Sequence, residues 1–191
     1  VNAVAHSRCI SATPQALALK KLYPGRFYVF TGLDMSEYYL HPDTLGAHMA
    51  AFAQRMLAAG CDGIKLLEGK PQMRRLYPVP DFDAPCWEPF WAWAEEAGVP
   101  FMWHVNDPEN FWDAAHAPAF AVAQGWLYDD SYINNEAQYA QVLSVLARHP
   151  RLPDALCARP RGVRARRRPD LYGRARRQLR RGAVHPDLGH S

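Results

Sequence analysis

The chain has 191 residues, is 49% hydrophobic and 12% aromatic, and carries a net charge of +3, a balance that excludes a disordered or fibrous polypeptide and suits one ordinary folded domain. No apolar run approaches the roughly 20 residues that a membrane helix needs, and the first residues lack the charged-then-apolar order of a signal peptide, so a soluble, cytoplasmic protein is expected. Cys9, Cys61, Cys86 and Cys157 stand singly with no CxxC pair, which argues against a disulfide framework or a zinc ribbon.

In chain order, NAVAHS (2–7) reads as a strand and ATPQALALKKLYP (12–24) as a helix, with a Ser or Thr cap, an early proline and late lysines. RFYVFTGLD (26–34) is a strand by its aromatic and β-branched content. DTLGAHMAAFAQRMLAAGC (43–61) places Leu45, Met49, Phe52, Met56 and Leu57 on one face of a helix that Gly60 stops. DGIKLLEG (62–69) is a strand, CWEPFWAWAEEAGV (86–99) a helix ended by Gly98, and PFMWHVN (100–106) a strand. NNEAQYAQVLSVLARHP (134–150) is a helix capped by Asn134 or Asn135.

Four β-α repeats predict an α/β fold with parallel strands, either doubly wound or a (β/α)8 barrel. No GxGxxG follows any strand, which favours the barrel. Barrel chemistry sits at the carboxyl ends of strands, and there the sequence places Asp34, Glu68, Lys70, Asn106 and Asp107. Alternation along FMWHVN puts Met102, His104 and Asn106 on one face and Phe101, Trp103 and Val105 on the other; along GIKLLEG it gives Ile64 and Leu66 to the helices and Lys65 to the interior. An imidazole and an ammonium aimed inward are costly unless paired, metal-bound or functional, which makes His104 a candidate metal ligand. The plainer alternatives are a hydrogen-bonded core histidine and a lysine paired with Glu68 or Asp107 at the rim. Trp87, Trp91, Trp93, Trp103, Phe111 and Trp112 read as packing residues, and Asp129 and Asp130 as a solvated loop.

The ordered set RFYVFTGLD, AAGCDGIKLLEGKP, WAWAEEAGVPFMWHVNDPENFWD and EAQYAQVLSVLARHPRL resembles the amidohydrolase-related (amidohydrolase 2) family of metal-dependent hydrolases, the branch with the aminocarboxymuconate semialdehyde decarboxylase-like enzymes. The resemblance covers roughly residues 1–152. It implies a distorted (β/α)8 barrel with a divalent metal, often zinc, held by a His-x-His pair on the first strand, a His on the fifth, often one on the sixth, and an Asp on the eighth. His104 matches the fifth-strand histidine. By that match Lys65, Asn106 and Asp107 become candidate substrate-binding or pocket residues, for a small molecule that is hydrolysed by metal-activated water or decarboxylated.

The sequence departs from the pattern at both ends. No His-x-His occurs, NAVAHS corresponds to the family's second strand, and His6, His41 and His48 do not replace the missing pair. The expectation is a partial barrel of about four β-α units, the second to fifth strands, in residues 1–152. Residues 153–191 hold eleven Arg and three Asp, +8, against −5 for the rest, and contain no Ile, Phe, Trp, Met, Lys, Glu, Asn or Thr. This segment is expected to be a disordered tail or an out-of-frame product, because shifting the reading by one base permits Phe-Ala-His at 156–158, where the family has its sixth-strand histidine. The chain is thus expected to be a fragment, inactive by itself, with a homo-oligomer compatible with it. A rival reading makes it a nucleic-acid-binding protein through the Arg-rich tail, but Tyr172 is the tail's sole aromatic for stacking on bases, so specific nucleic-acid binding is not expected.

Overall fold

A computed structural model of the chain describes residues 2–3, 11–77 and 79–156. The expected tail, apart from Pro153–Leu156, and the remainder of NAVAHS with His6 lie outside the described residues, as does the nucleic-acid reading that rests on the arginines. The elements in order are β1 (Asn2–Ala3), α1 (Thr13–Leu22), β2 (Phe30–Thr31), α2 (Ser36–Leu40), α3 (Leu45–Ala58), β3 (Gly63–Leu66), α4 (Pro71–Leu76), α5 (Glu88–Ala97), β4 (Phe101–Trp103), α6 (Ala119–Ala123), α7 (Asn135–Arg148) and β5 (Asp154–Leu156). Short 3-10 turns occupy Pro42–Thr44, Pro85–Trp87 and Glu109–Trp112.

All strands pair in parallel, in the order β1-β2-β3-β4-β5. The chain is therefore α/β, and each strand is added beside the previous one without the reversal that defines a doubly wound sheet. No helix of the described residues is long and apolar enough to cross a membrane.

Pleating sorts the side chains as alternation predicts. Ile64, Leu66, Phe101, Trp103 and Val105 enter one core cluster with Leu45, Met49 and Ala53 of α3 and with Phe90, Trp91 and Ala94 of α5. Trp91 stacks on Trp103 at 4.9 Å between ring centroids, and Phe82 meets Trp103 edge-on at 5.0 Å; offset and edge contacts of this kind add about 0.5–1.5 kcal/mol each to area burial. Trp87, Trp91 and Trp103 are fully buried packing residues.

The termini of the helices follow local chemistry. Asn134 caps α7, its side chain accepting from Ala137 N at 2.8 Å. Gly98 closes α5 at φ +62°, where a side chain would strain the backbone. At α1 the expected Ser or Thr cap is replaced by Ala12, which offers no side-chain cap, and Ser11 Oγ, one residue earlier, accepts from Thr13 N at 3.2 Å.

The expected strand at 26–34 shrinks to two residues. Asp62 holds Val29 N at 2.7 Å on one side, and beyond Thr31 the backbone leaves the sheet to line a cavity. Four elements escaped the sequence reading, α2, α4, α6 and β5. α2 starts where Asp34 Oδ1 accepts from Ser36 N and Oγ. β5 pairs Asp154–Leu156 with Phe101–Trp103, using residues whose neighbours in sequence belong to the arginine-rich segment.

Candidate functional site

β3 and β4 end side by side, and the loops that leave them form the site. His104 N donates to Leu66 O and Asn106 N to Gly69 O, so the two exits remain hydrogen-bonded after the regular strands stop. Gly69 lies so close to the His104 carbonyl that a methyl group there would overlap it, and the Gln138 side chain of α7 donates to the Gly69 carbonyl. A glycine is needed for that approach.

Asn106 is the one non-glycine among the described residues with positive φ, at +62°. Asparagine tolerates this left-handed conformation, and the turn it makes carries Asp107 back to the ring of His104. Asp107 then becomes a hub. Its Oδ2 accepts from Lys70 Nζ at 2.6 Å and from the Tyr128 hydroxyl at 2.6 Å, and its Oδ1 lies 3.2 Å from His104 Nε2. Burial pushes the Asp107 carboxyl up, but the bonds from His104, Lys70 and Tyr128 outweigh it and hold the group down at about 2. The Tyr128 phenol moves the other way, raised by burial and by the carboxylate it serves.

Tyr128 is set by a second aromatic cluster, Phe111, Ala121 and Tyr128 with Trp112, Trp126 and Tyr132 packed around them. From that cluster the Trp126 ring also faces Lys70 Nζ, 3.8 Å from its centroid, a cation–π contact that adds to the ion pair.

The sequence-predicted residues are thus only partly gathered. His104 and Asp107 meet directly. Asn106 is 2% exposed and neither polar atom of its side chain has a hydrogen-bond partner among the described residues, so its bonding capacity is unspent. Lys65 is buried on the face opposite the core, in register with Met102, and acts electrostatically on Glu68. Asp107 is engaged by three groups of the protein, Lys70, Tyr128 and His104. Lys70, Tyr128 and Trp126 were not chosen as site residues; Lys70 stood at a strand end in the sequence, whereas the other two come from a loop with no periodic signal.

The resemblance implies a divalent metal on His104. A catalytic zinc uses about three protein ligands and an open position. Among the described residues the one acidic group on His104 is Asp107, which already holds an ammonium, and no third donor joins the pair. The described residues at His104 therefore do not fit such a metal.

A cavity of about 580 Å³ opens beside β2 and β3. Its walls include Leu33, Met35, Phe52 and Met73, and its polar lining includes Asp34 and Glu68. Burial raises the Glu68 carboxyl from 4.5 to about 7, opposed by backbone N–H groups and by the charges of Lys65 and Arg74. One of its oxygens, Oε2, is shielded from solvent without a hydrogen-bond partner.

No family model matches the chain, and no curated protein does. Among solved structures the chain is similar to two of 2,6-dihydroxybenzoate decarboxylase, one from Rhizobium and one complexed with 2,6-dihydroxybenzoate, each at 21% identity and a TM-score of 0.49 over 76% of this chain. It is also similar to an amidohydrolase II, at 14% identity and a TM-score of 0.45 over 75% of this chain. The chain spans 42% of the length of the decarboxylases and 41% of the amidohydrolase II. Likeness at this level assigns no residue a role.

Proposed function

We propose that the five strands are an arc of an amidohydrolase-type (β/α)8 barrel, and that the enzyme built on it hydrolyses or decarboxylates a small ring-bearing molecule. The observation that carries this reading is Glu68: a carboxyl with a pKa of about 7, at the carboxyl end of a parallel strand, lining a cavity with apolar walls. Proton transfer is most efficient when the carrier's pKa lies near the working pH. In hydrolysis the ionised Glu68 would take a proton from the attacking water. In decarboxylation the protonated form would give its proton to the ring carbon, which keeps the electron pair of the broken bond as carbon dioxide leaves.

The sequence-order winding of the sheet and the placement of Asp34, Glu68, Lys70 and Asp107 at strand ends support the same reading. Asn106, with its side-chain amide unspent, and Lys65, facing away from the core, are proposed to orient substrate. Asp107 is proposed to position His104 and Lys70 and to leave substrate to others. No step is routed through a metal at His104.

The test is binding. A panel of small ring-bearing acids, esters and amides, 2,6-dihydroxybenzoate among them, is titrated against the purified chain by ligand-observed NMR between pH 5 and 9. The expected result is binding whose affinity changes with an inflection near pH 7, lost in Glu68→Gln and blocked by filling the cavity with Leu33→Trp. Absence of binding across the panel, or an inflection that persists in Glu68→Gln, would overturn the proposal.

A further inference from the structure

Three ligand-type side chains converge on a different part of the molecule. Glu37 and His41 are four residues apart on α2 and its C-terminal cap, so they share one face. Pro42–Thr44 then reverses the chain and starts α3, whose first turns bring His48 back to the same spot.

The donor atoms of Glu37, His41 and His48 all lie within 4.8 Å of one another. His48 Nδ1 is 3.1 Å from Glu37 Oε2, and His41 Nε2 is 3.9 Å from the same oxygen. The two imidazoles are stacked, with centroids 4.3 Å apart and planes 6° from parallel. Glu37 Oε2 is shielded from solvent and has no hydrogen-bond partner among the described residues, although His48 Nδ1 lies 3.1 Å away. A shielded carboxylate oxygen flanked by two imidazoles is costly as it stands and is satisfied by a cation that takes all three.

From this geometry we infer that Glu37, His41 and His48 form a two-histidine, one-carboxylate site for a divalent transition metal such as zinc. Ligand bonds of about 2.0–2.2 Å need the donors slightly nearer than they lie, and the half-exposed imidazoles are free to tilt inward. The bound ion would clasp α2 to α3. Because Ser36 and Tyr39 of α2 line the cavity, the clasp also steadies one cavity wall. The site is independent of the reading of Glu68 and of His104.

Cobalt(II) titrated into the intact chain is the direct probe, since its visible bands distinguish nitrogen and oxygen ligation from thiolate ligation at any of the four cysteines. One equivalent is expected to bind with nitrogen–oxygen bands, to be displaced by zinc, and to persist in His104→Ala. Glu37→Gln, His41→Ala and His48→Ala are each expected to weaken binding by about tenfold or more, since loss of even an outer partner costs about 10–100-fold. Far-UV circular dichroism checks that each variant is folded, and the near-isosteric Glu37→Gln serves if a histidine variant is not. No stoichiometric binding by the intact chain, binding unchanged in folded Glu37→Gln, or binding lost in His104→Ala would overturn the inference.

Discussion

The Glu68 and Asp107 carboxyls are displaced in opposite directions from the ordinary carboxylate range, and each sign has a physical cause. The Glu68 carboxyl is raised from 4.5 to about 7 by burial, so the fold favours its neutral form. That contribution is complete below pH 4.5 and is lost as pH rises through 7; at about 1.4 kcal/mol per tenfold in proton affinity it amounts to about 3 kcal/mol. Glu68→Gln, a mimic of the neutral form, should therefore gain on the wild type between pH 5 and 8 by about this amount in urea unfolding, and a constant difference would contradict the assignment. Asp107 is lowered from 3.8 to about 2, so its contribution is present above 3.8 and disappears as pH falls through 2. Its ion pair with Lys70 is nearly buried, and removing one partner of such a pair costs about 3–5 kcal/mol. Lys70→Met should show a loss of that size, whereas Lys70→Met with Asp107→Leu should lose less than the two single changes summed. Strict additivity in a urea double-mutant cycle would mean that the pair is not coupled.

At the scale of elements, the helices obey their local signals and the exits of the strands do not. α7 begins at Asn134 because its side chain satisfies Ala137 N. Asn134→Ala is expected to cost about 1 kcal/mol by thermal or urea unfolding, while leaving the Lys70–Asp107 hub untouched. Gly69 is a different case, since no side chain fits against the His104 carbonyl. Gly69→Ala should both destabilise the protein and shift the His104 ring resonances in NMR. Destabilisation without a change at His104 would mean that the loop yields elsewhere. Neither strand 26–34 nor strand 100–106 could be bounded in advance, because tertiary hydrogen bonds from Asp62 and Gly69 decide where each leaves the sheet.

For the whole molecule, the described sheet is parallel with its strands in sequence order, and Glu68, Lys70 and Asp107 follow the carboxyl ends of β3 and β4. A site that needs about three metal ligands finds at His104 one histidine and a carboxylate already bound to a lysine. Purified chain is accordingly expected to show no appreciable turnover of the ester, amide and carboxylate panel, with or without added zinc. Turnover that requires zinc and disappears in His104→Ala would show that the ligand set is completed in another way.

What the sequence determined by itself was set by short-range physics. Period-two alternation sends Ile64, Leu66, Phe101 and Trp103 to the core, helical spacing builds α3, α5 and α7, and caps place the end of α5 at Gly98 and the start of α7 at Asn134. It also brought His104 and Asp107 into one candidate site, since they are three residues apart. Only the tertiary structure decided their company. Lys70, Tyr128 and Trp126 reach Asp107 from separate segments, Glu68 acquires its proton affinity from burial that no local pattern encodes, and His41 and His48, apparently isolated in the chain, meet around Glu37. Burial and convergence are properties of the folded chain, because both depend on which distant segments exclude water from a group.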